Sequence, residues 1–367
     1  GPAVEQVPAH RVGVDVDGEL ESISATARHY DTPDFLASRG EYLNGRILAQ
    51  VLGATFVDPA NSILFDEEGR LHADTYARLA QALAGEGRYV IPGFYGADAE
   101  GRIKTFSRGG SDVTGAVVAR ASMSKVYENW TDVSGFMMTD PRIVPDAKRI
   151  DKITYSELRE LAYMGASVLH DEAIFPVRDV NIPINIRNTW EPDNPGTLIV
   201  GKRRSTQPVR GIAARKGFCM INIEKAFMNK ELGFGRRVLE VLEKYRINFE
   251  HMPTGIDAIS LIVRDEELGK HGPAIVRDIK RQVEPDSVKI ERGLALIATV
   301  GQGMHHHIGV AARLCTALAE ARVNLHVIDQ GASETNIIFG VGEADLERAV
   351  HALYRAVQVW EPVRAAN

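Results

Sequence analysis

Residues 106–112, with the sequence Phe-Ser-Arg-Gly-Gly-Ser-Asp, bring an arginine, two glycines and a helix-starting Ser-Asp pair together. Arg108 offers a planar fork of N–H donors that matches a carboxylate or a phosphate. Gly109 and Gly110 let backbone N–H groups approach an anion closely, and a helix that starts at Asp112 adds its positive end. Asp112 could then hold an amine, so the segment predicts an amino-acid site. The alternative is an ordinary turn with a helix cap, since glycine pairs and Ser/Asp caps are common.

A second polar segment at residues 130–135, with the sequence Trp-Thr-Asp-Val-Ser-Gly, follows a candidate strand over residues 125–130. Asp140 and Arg142 come shortly after it, on either side of a proline. Binding residues often lie on loops because a rigid strand or helix holds the loop in position. The two segments together can hold a small charged substrate and a nucleotide, which favours the binding-site interpretation of residues 106–112.

Five motifs of this sequence occur in the order found in aspartate kinases of the amino-acid kinase family. They are residues 38–41 (Ser-Arg-Gly-Glu), 105–112 (Thr-Phe-Ser-Arg-Gly-Gly-Ser-Asp), 130–133 (Trp-Thr-Asp-Val), 139–142 (Thr-Asp-Pro-Arg) and 165–170 (Gly-Ala-Ser-Val-Leu-His). The chain resembles that family from about Asp31 to Val357. The resemblance implies transfer of the γ-phosphoryl group of ATP, with Mg²⁺, to the side-chain carboxylate of L-aspartate, which gives 4-phospho-L-aspartate.

The resemblance also implies two groups of site residues. An arginine fork suits the α-carboxylate of the substrate, and two carboxylates suit its α-ammonium group. The implied substrate-binding residues are Glu41, Arg108, Gly110, Ser111 and Asp112. The implied nucleotide-binding residues are Thr131, Asp132, Phe136, Asp140, Arg142 and Ser167. Many family members carry a lysine where Ser167 stands in this chain. A second phosphate-binding cation is therefore not expected at this position.

The beginning of the sequence departs from the family pattern. Aspartate kinases open with a strand and glycine loop of the type Lys-Phe-Gly-Gly-Thr-Ser, and residues 1–37 contain no such pattern. The catalytic residue is therefore unassigned, and we expect an N-terminal part of the kinase domain to be missing from this sequence. Since phosphoryl transfer depends on positioned cations, we expect the chain as written to bind ligands better than it turns them over.

The composition is that of a soluble globular protein. Of the 367 residues, 44% are hydrophobic and 25% are charged, and the formal net charge of −6 argues against non-specific binding to nucleic acid. No apolar run approaches the roughly 20 residues that span a membrane, and no secretory signal is visible. Cys219 and Cys315 have no metal-ligand spacing, so we expect no metal site and a cytoplasmic location.

The order of local patterns predicts the fold class. Strand and helix patterns alternate through residues 31–200, which indicates an α/β domain. With the resemblance, we expect a three-layer αβα amino-acid-kinase domain, N-terminally incomplete, and interpret the basic run at 202–208 as a solvated connector. The predicted domains are a tag scar at 1–2, the kinase domain at 3–200, a linker at 201–210 and a regulatory region at 211–367. The predicted elements include helices at 40–52, 74–83 (capped by Asp74), 112–122 and 155–164, and strands at 88–94, 125–130 and 182–187.

An internal repeat with a period of 76 residues occupies the C-terminal part of the chain, relating Gly233 to Gly309 and Met228 to Met304. Each copy shows a strand, a glycine turn, a helix and two more strands, and a last helix is predicted over 343–357. The predicted elements are 217–224, 235–245, 249–252 and 258–263 in the first copy, and 295–300, 310–321, 325–328 and 336–341 in the second. The layout resembles two ferredoxin-like βαββαβ units of the ACT type, which aspartate kinases carry as a tandem pair.

The glycine turn before each repeat helix is a candidate effector site. Its backbone N–H groups could take the carboxylate of an amino acid, and side chains of the facing strand could take the amine. The alternative is that the glycines only form the turn and the repeats serve dimerisation. The effector residues expected in the first repeat are Met228, Gly233, Gly235, Glu250, Thr254 and Asp257. We expect lysine or threonine as the effector, and a homodimer or higher oligomer.

The histidine-rich segment at residues 305–307 has a structural or surface interpretation. Three adjacent histidines cannot all face one ion from a regular element, and the run lies at the glycine turn of the second repeat. His170, at the end of a family motif, is interpreted as helix-end packing rather than as a general base.

Two other functions remain alternatives. The chain could be a non-catalytic amino-acid sensor built on a degenerate kinase domain. The presence of Arg108, Asp112, Asp132 and Asp140 together favours the enzyme over such a remnant. A glutamate or carbamate kinase fits poorly, because those families lack the repeat pair.

Overall fold

The computed structural model describes residues 13–27, 33–107, 109–166, 169, 174–203, 207–331 and 333–359. The chain divides into two compact units, an N-terminal unit of residues 1–135 and 168–202 and a C-terminal unit of residues 136–167 and 203–367. The domain limits given from the sequence, a kinase domain at 3–200 and a regulatory region at 211–367, stay a prediction. The two compact units have different limits, because residues 136–167 group with the C-terminal unit. No helix in the described ranges is long and apolar enough to cross a membrane.

Helices and strands are distributed along both units. The helices are α1 Val16–Ala27, α2 Pro33–Leu52, α3 Thr75–Ala82, α4 Gly110–Ala121, α5 Tyr155–Tyr163, α6 Ile174–Arg178, α7 Phe234–Lys244, α8 Asp265–Leu268, α9 Gly272–Val283, α10 Val310–Glu320 and α11 Leu346–Gln358. The strands are β1 Thr55–Phe56, β2 Tyr89–Val90, β3 Tyr95–Ala97, β4 Ile103–Thr105, β5 Tyr127–Thr131, β6 Lys152–Thr154, β7 Ile184–Asn188, β8 Thr197–Val200, β9 Gly211–Glu224, β10 Phe249–His251, β11 Ala258–Arg264, β12 Ser287–Val300, β13 Val327–Asp329 and β14 Asn336–Gly342.

Helix α4 packs closely against strand β5 in the N-terminal unit. Its buried face consists mainly of small residues, and a Cβ atom added at Gly115 would lie 2.5 Å from the hydroxyl oxygen of Tyr127. Strand β5 pairs in parallel with β7, in a register that ends at Thr131 and Asn188. Strand β7 pairs antiparallel with β8. The carboxyl ends of β5 and β7 therefore lie side by side.

Most predicted elements of the N-terminal unit are present with shifted ends. The helix predicted at 112–122 begins at Gly110, and α2 also begins earlier than predicted. The strand predicted at 88–94 is shortened to β2, because it runs into Pro92, which has no N–H donor. Asp74 is the N-cap residue of α3, as the sequence indicated, but its side chain makes no capping hydrogen bond.

The two repeats of the C-terminal unit share one six-stranded sheet in the order β10-β11-β9-β12-β14-β13. Strands β9 and β12, each of 14 residues, pair antiparallel over nearly their whole lengths. The C-terminal half of β9 pairs with β11 of the first repeat, and the C-terminal half of β12 pairs with β14 of the second. Each long strand therefore serves both repeats.

The predicted repeats were too short, because both long strands begin earlier than the sequence pattern indicates. The strands predicted at 217–224 and 295–300 begin at Gly211 and Ser287, and helix α9 was not predicted. The N-terminal half of β12 completes the βαββαβ order of the first repeat, whereas the N-terminal half of β9 lies beside the second repeat. Gly293, with a φ of +77°, lies where the pairing of the two strands becomes irregular.

The backbone confirms the 76-residue repeat at its turns. Gly233 and Gly309 are the N-cap residues of α7 and α10, with φ angles of +76° and +88°. Glycine adopts this left-handed conformation without the steric cost that other residues meet. Met228 and Met304 are both buried in short 3₁₀ helices before these turns.

The carboxylate of Glu157, on α5, is fully buried in the C-terminal unit and receives several hydrogen bonds. Arg203 donates to it through Nη2 and Nε at 2.6 and 3.1 Å, and the backbone N–H of Thr154 and of Gln302 donate at 2.9 Å each. The side chains of Arg203 and Glu157 are 3% and 0% exposed. The interpretation of the basic run as a solvated connector was therefore wrong for Arg203, which is buried because its charge is paired.

Burial alone would raise the pKa of Glu157, because it disfavours the charged carboxylate. The hydrogen bonds from Arg203 and from the N–H groups of Gln302 and Thr154 outweigh it, so that the pKa lies below its usual value. Glu157 is therefore an anion in the folded protein.

Helix α5 contacts both repeats through its polar side chains. Glu160 accepts a hydrogen bond of 2.6 Å from the side-chain amide of Asn336 in the second repeat. Tyr163 donates to Glu250 in the first repeat. Together with the bond from Gln302 to Glu157, these contacts hold α5 against both halves of the shared sheet.

Replacement of Glu157 by glutamine is expected to lower the free energy of unfolding by about 3 kcal/mol, because Arg203 is left as an uncompensated buried cation. Denaturant unfolding of the full chain measures this change. The matched control is Glu240→Gln, which removes one partner of the exposed Arg236–Glu240 pair and should change the stability by less than about 0.5 kcal/mol. Equal effects of the two substitutions would contradict the account.

The stabilisation from Glu157 is expected to depend on pH. Its folded-state pKa is lowered, so the contribution is complete above the unfolded value of about 4.3 and is lost as the pH falls through the folded value. The difference in free energy of unfolding between the wild type and Glu157→Gln is followed by denaturant unfolding from neutral pH downwards. It should begin to narrow as the pH falls below the unfolded pKa of about 4.3. A difference that stays constant into strong acid is the opposing result.

Candidate functional site

A cavity of about 350 Å³ in the N-terminal unit brings two of the predicted substrate residues together. Glu41 reaches it from α2, and Ser111 reaches it from the first turn of α4. Glu41 makes no hydrogen bond or ion pair with any residue that the structure describes, so its carboxylate is available to a ligand. The residues that line the cavity are Glu41, Tyr89, Ile91, Gly93, Ser111, Thr114, Gly115 and Val118.

Two glycines allow the start of α4 to approach the segment before β3. A Cβ atom at Gly93 would lie 2.7 Å from the Ser111 hydroxyl oxygen, and one at Gly110 would lie 2.6 Å from Cβ of Phe94. Thr114 fixes this approach, because its hydroxyl donates to the carbonyl of Gly110 at 2.7 Å and accepts the N–H of Phe94 at 3.1 Å. The positive end of a 12-residue helix therefore lies at the cavity, where it favours an anion.

Asp112 lies one residue further along α4 and contacts strand β5. Its Oδ1 accepts a hydrogen bond of 2.9 Å from Asn129, and its backbone carbonyl accepts one of 3.1 Å from Tyr127. Burial raises the pKa of Tyr127 to about 12, so this hydroxyl keeps its proton. Neither Tyr127 nor Asn129 was predicted as a site residue from the sequence. Their signal is a spacing of two residues, which puts both side chains on one face of β5.

The segment before the predicted substrate loop is anchored to helix α2. Asp34 accepts a hydrogen bond of 2.9 Å from the hydroxyl of Thr105, at the end of β4. Arg108 itself lies outside the described residues. The predicted role of Arg108 as a carboxylate fork therefore stays a prediction.

The predicted nucleotide residues are divided between the two compact units. Thr131 and Asp132 lie at the carboxyl end of β5 in the N-terminal unit, where the Thr131 hydroxyl donates to Asp132 at 3.2 Å. Phe136 belongs to the C-terminal unit and is only 2% exposed, so its ring is buried rather than open to solvent. Ser167 and His170 lie outside the described residues.

Asp140 and Arg142, in the C-terminal unit, pair with each other. Arg142 Nη2 lies 2.7 Å from Asp140 Oδ2, although the arginine side chain is 88% exposed. The hydrogen bond from Arg142 lowers the pKa of Asp140 below its usual range. An approaching phosphate would have to compete with Asp140 for this guanidinium group.

Both acidic residues among the predicted effector residues of the first repeat are already engaged. Glu250 is 6% exposed and pairs with Arg264 at 2.8 Å. Asp257 accepts the N–H of Phe227 at 2.8 Å and so fixes the turn before Met228. The remaining predicted residues lie at the turn itself (Gly233), in the first turn of α7 (Gly235) and in the segment between β10 and β11 (Thr254).

The histidine segment makes local contacts. His305 contacts Glu334 at 2.7 Å, and His307 Nδ1 lies 2.6 Å from the carbonyl oxygen of Gly303. Across the part of the chain that the structure describes, no group of three or more His, Cys, Asp or Glu side chains could hold a metal ion. The segment therefore has a structural explanation in these contacts.

Comparison with known proteins identifies the family. Residues 4–188 match the amino acid kinase family, and residues 297–357 match an ACT domain. Aspartokinase 3 of Bacillus subtilis is 40% identical over 333 residues, which are 88% of this chain and 73% of that protein. The crystal structure of Clostridium acetobutylicum aspartate kinase is 48% identical, with a TM-score of 0.89, and the match covers 94% of this chain and 80% of that one.

Escherichia coli aspartokinase III is a more distant relative that has been solved with ligands. Its complex with aspartate and ADP is 27% identical, with a TM-score of 0.68, over 95% of this chain and 84% of that one. Its complex with lysine and aspartate is 28% identical, with a TM-score of 0.73, over 94% and 80%. These matches confirm the predicted resemblance and the predicted α/β fold class. The chain therefore belongs to the amino acid kinase family and, within it, to the aspartokinases.

Proposed function

We propose that this chain is an aspartate kinase that uses ATP to phosphorylate the side-chain carboxylate of L-aspartate and releases 4-phospho-L-aspartate and ADP. The observation that carries the proposal is the cavity between α2 and α4, where Glu41 has no partner among the described residues and Ser111 lies in the first turn of a helix. An amino-acid substrate needs an anionic partner for its ammonium group and donors for its carboxylate, and this cavity offers both. The E. coli relative solved with aspartate supports the substrate.

In the proposed complex the two charges of the amino acid are held by different elements. The N–H groups at the start of α4 and the Ser111 hydroxyl bind the α-carboxylate, together with Arg108. Glu41 binds the α-ammonium group, and Asp112, held by Asn129, adds a second negative charge. The side-chain carboxylate is then left free to act as the nucleophile.

The proposed chemical step needs little covalent participation by the protein. A side-chain oxygen of aspartate attacks the γ-phosphorus of ATP, the bond to the β–γ bridging oxygen breaks, and ADP leaves. Thr131 and Asp132, at the carboxyl end of β5, would contact the nucleotide, because ligands of open α/β sheets bind outside the carboxyl ends of strands. Mg²⁺ usually coordinates phosphate oxygens and water with one or two carboxylates, and exposed Asp132 is a suitable carboxylate in this unit. When bound, the ion neutralises charge on the phosphates.

An assay for the acyl phosphate tests the proposed activity. The full chain is incubated with ATP, Mg²⁺ and L-aspartate, the product is trapped with hydroxylamine, and ADP release is followed in parallel. Slow formation of hydroxamate that depends on aspartate and matches ADP release is the expected result, because the catalytic residue is unassigned in this sequence. Binding of amino acids without any hydroxamate would instead favour the non-catalytic sensor.

Replacement of Glu41 by glutamine is expected to raise the KM for L-aspartate about tenfold or more, because a charge-assisted bond to the ammonium group is lost. The KM for ATP should stay within about twofold, since the substitution leaves the end of β5 unchanged. The control is Glu86→Gln, at an exposed position in the turn after α3, which should behave as the wild type. Equal rises in both KM values for Glu41→Gln would count against the assignment.

We further propose that lysine regulates this activity by binding at the first repeat. The E. coli relative solved with lysine and aspartate supports lysine over threonine. The left-handed Gly233 exposes the first N–H groups of α7, which could take the carboxylate of lysine. The sheet order leaves β10 and β13 as edge strands, and such edges pair readily with another chain, which supports a homodimer formed through the repeats.

Gly233→Ala and Gly309→Ala form a matched pair that tests this site. Both place alanine in the left-handed region at equivalent turns, at a similar cost of about 1 kcal/mol. Only Gly233→Ala is expected to raise the lysine concentration for half-inhibition, by about fivefold or more. Inhibition curves for the two variants measure the effect. Equal shifts, or a shift only for Gly309→Ala, would place the effector elsewhere.

A further inference from the structure

Trp190 is a large aromatic side chain that the N-terminal unit leaves 82% exposed. It lies in the loop between β7 and β8, directly after Thr189. The N–H and the hydroxyl of Thr189 both donate to the carbonyl of Thr131, at 2.9 and 3.1 Å. Trp190 therefore lies at the same edge of the parallel β5–β7 pair as Thr131 and Asp132. An indole in water forgoes the large stabilisation that its burial would give.

The loop that carries Trp190 is held by a polar network. The N–H of Trp190 donates to Asn188 at 2.9 Å, and the amide of Asn188 donates to Ser134 at 2.8 Å. Ser134 donates to Glu191 at 2.7 Å, and Asn194 donates to the same carboxylate at 3.0 Å. These bonds join the loop after β5 to the loop after β7. The backbone of Trp190 is thus fixed although its ring is exposed.

We propose that the indole of Trp190 is the stacking platform for the adenine ring of the nucleotide. The inference rests on the proposed function, and it adds a residue that the family motifs did not indicate. A fixed aromatic ring at the carboxyl edge of parallel strands meets two requirements of a base site, because stacking needs an open π face and loses little conformational freedom when the backbone is already held. Thr131 and Asp132 then lie beside the same ligand.

Trp130, on the strand paired with β7, shows why Trp190 is the better candidate for stacking with a base. Trp130, on β5, is 45% exposed, and the guanidinium carbon of Arg187 lies 4.7 Å from its ring centroid. Its indole N–H also donates to Glu128 at 3.2 Å. Trp130 is therefore engaged within the unit, whereas the Trp190 ring makes no ring or cation contact with any residue that the structure describes.

Calorimetric titration of the full chain with Mg-ADP tests the proposal in three variants. Trp190→Leu removes the π face and should raise the Kd for Mg-ADP about tenfold or more, because loss of base stacking on an aromatic ring has an effect of about this size. Trp190→Phe keeps an aromatic face and should change the Kd by less than about threefold. The Kd for inorganic tripolyphosphate, which has no base, should be the same in Trp190→Leu and the wild type. Phe249→Ala, which removes an exposed aromatic ring of the C-terminal unit, is the control and should leave the Kd for Mg-ADP unchanged.

The outcomes separate the stacking role from the proposed function. Tight Mg-ADP binding by both the wild type and Trp190→Leu overturns the stacking role and leaves the kinase proposal intact. Parallel losses of Mg-ADP and tripolyphosphate binding in Trp190→Leu also overturn it, since they indicate a structural role. No Mg-ADP binding by the wild type contradicts both proposals.

Discussion

The buried ion pair between Glu157 and Arg203 is the interaction on which the arrangement of the C-terminal unit depends. A buried carboxylate is costly unless its charge is paired and its lone pairs are occupied. Here the pair is completed by the N–H groups of Thr154 and Gln302. One charge thus fixes the start of α5, the segment after β8 and the turn at the end of β12.

The shared strands β9 and β12 make the two repeats mutually dependent. Since the first half of β12 completes the first repeat and the first half of β9 lies beside the second, neither repeat has its full set of strands without the other. Helix α5 adds polar contacts to both. It also ends shortly before residues 165–170, the last of the family motifs. Gly165 and Ala166, the first two residues of that motif, belong to the same compact unit as the repeats and donate their N–H groups to carbonyls of α5.

Local sequence patterns predicted the elements whose signal is local. The family motifs, the helix that begins at the substrate loop and the 76-residue repeat with its glycine turn all follow from spacing and residue type. The exchange of strands between the repeats could not be predicted, because strand pairing over long sequence separations leaves no periodic signal. The burial of Arg203 was hidden for the same reason: its partner Glu157 is 46 residues away.

The candidate site was predictable to a similar degree. Glu41 and Ser111 were indicated by their motifs, and the structure brings them to one cavity. Sequence could not show that Glu250 is paired with Arg264, nor that Trp190 is exposed on a fixed loop, since side-chain partners and exposure are properties of the folded chain. Engaged carboxylates and available ones look alike in a sequence, and their different surroundings decide which of them can receive a ligand.

The cavity between α2 and α4 is proposed to recognise both charges of an amino acid. Calorimetric titration of the full chain with L-aspartate and with succinate, which has the same two carboxylates and no ammonium group, tests it most directly. We expect saturable binding of L-aspartate at one site and binding of succinate at least about tenfold weaker, because Glu41 and Asp112 repel a dianion and lose their cationic partner. Equal affinity for the two ligands, or no binding of L-aspartate, would contradict it.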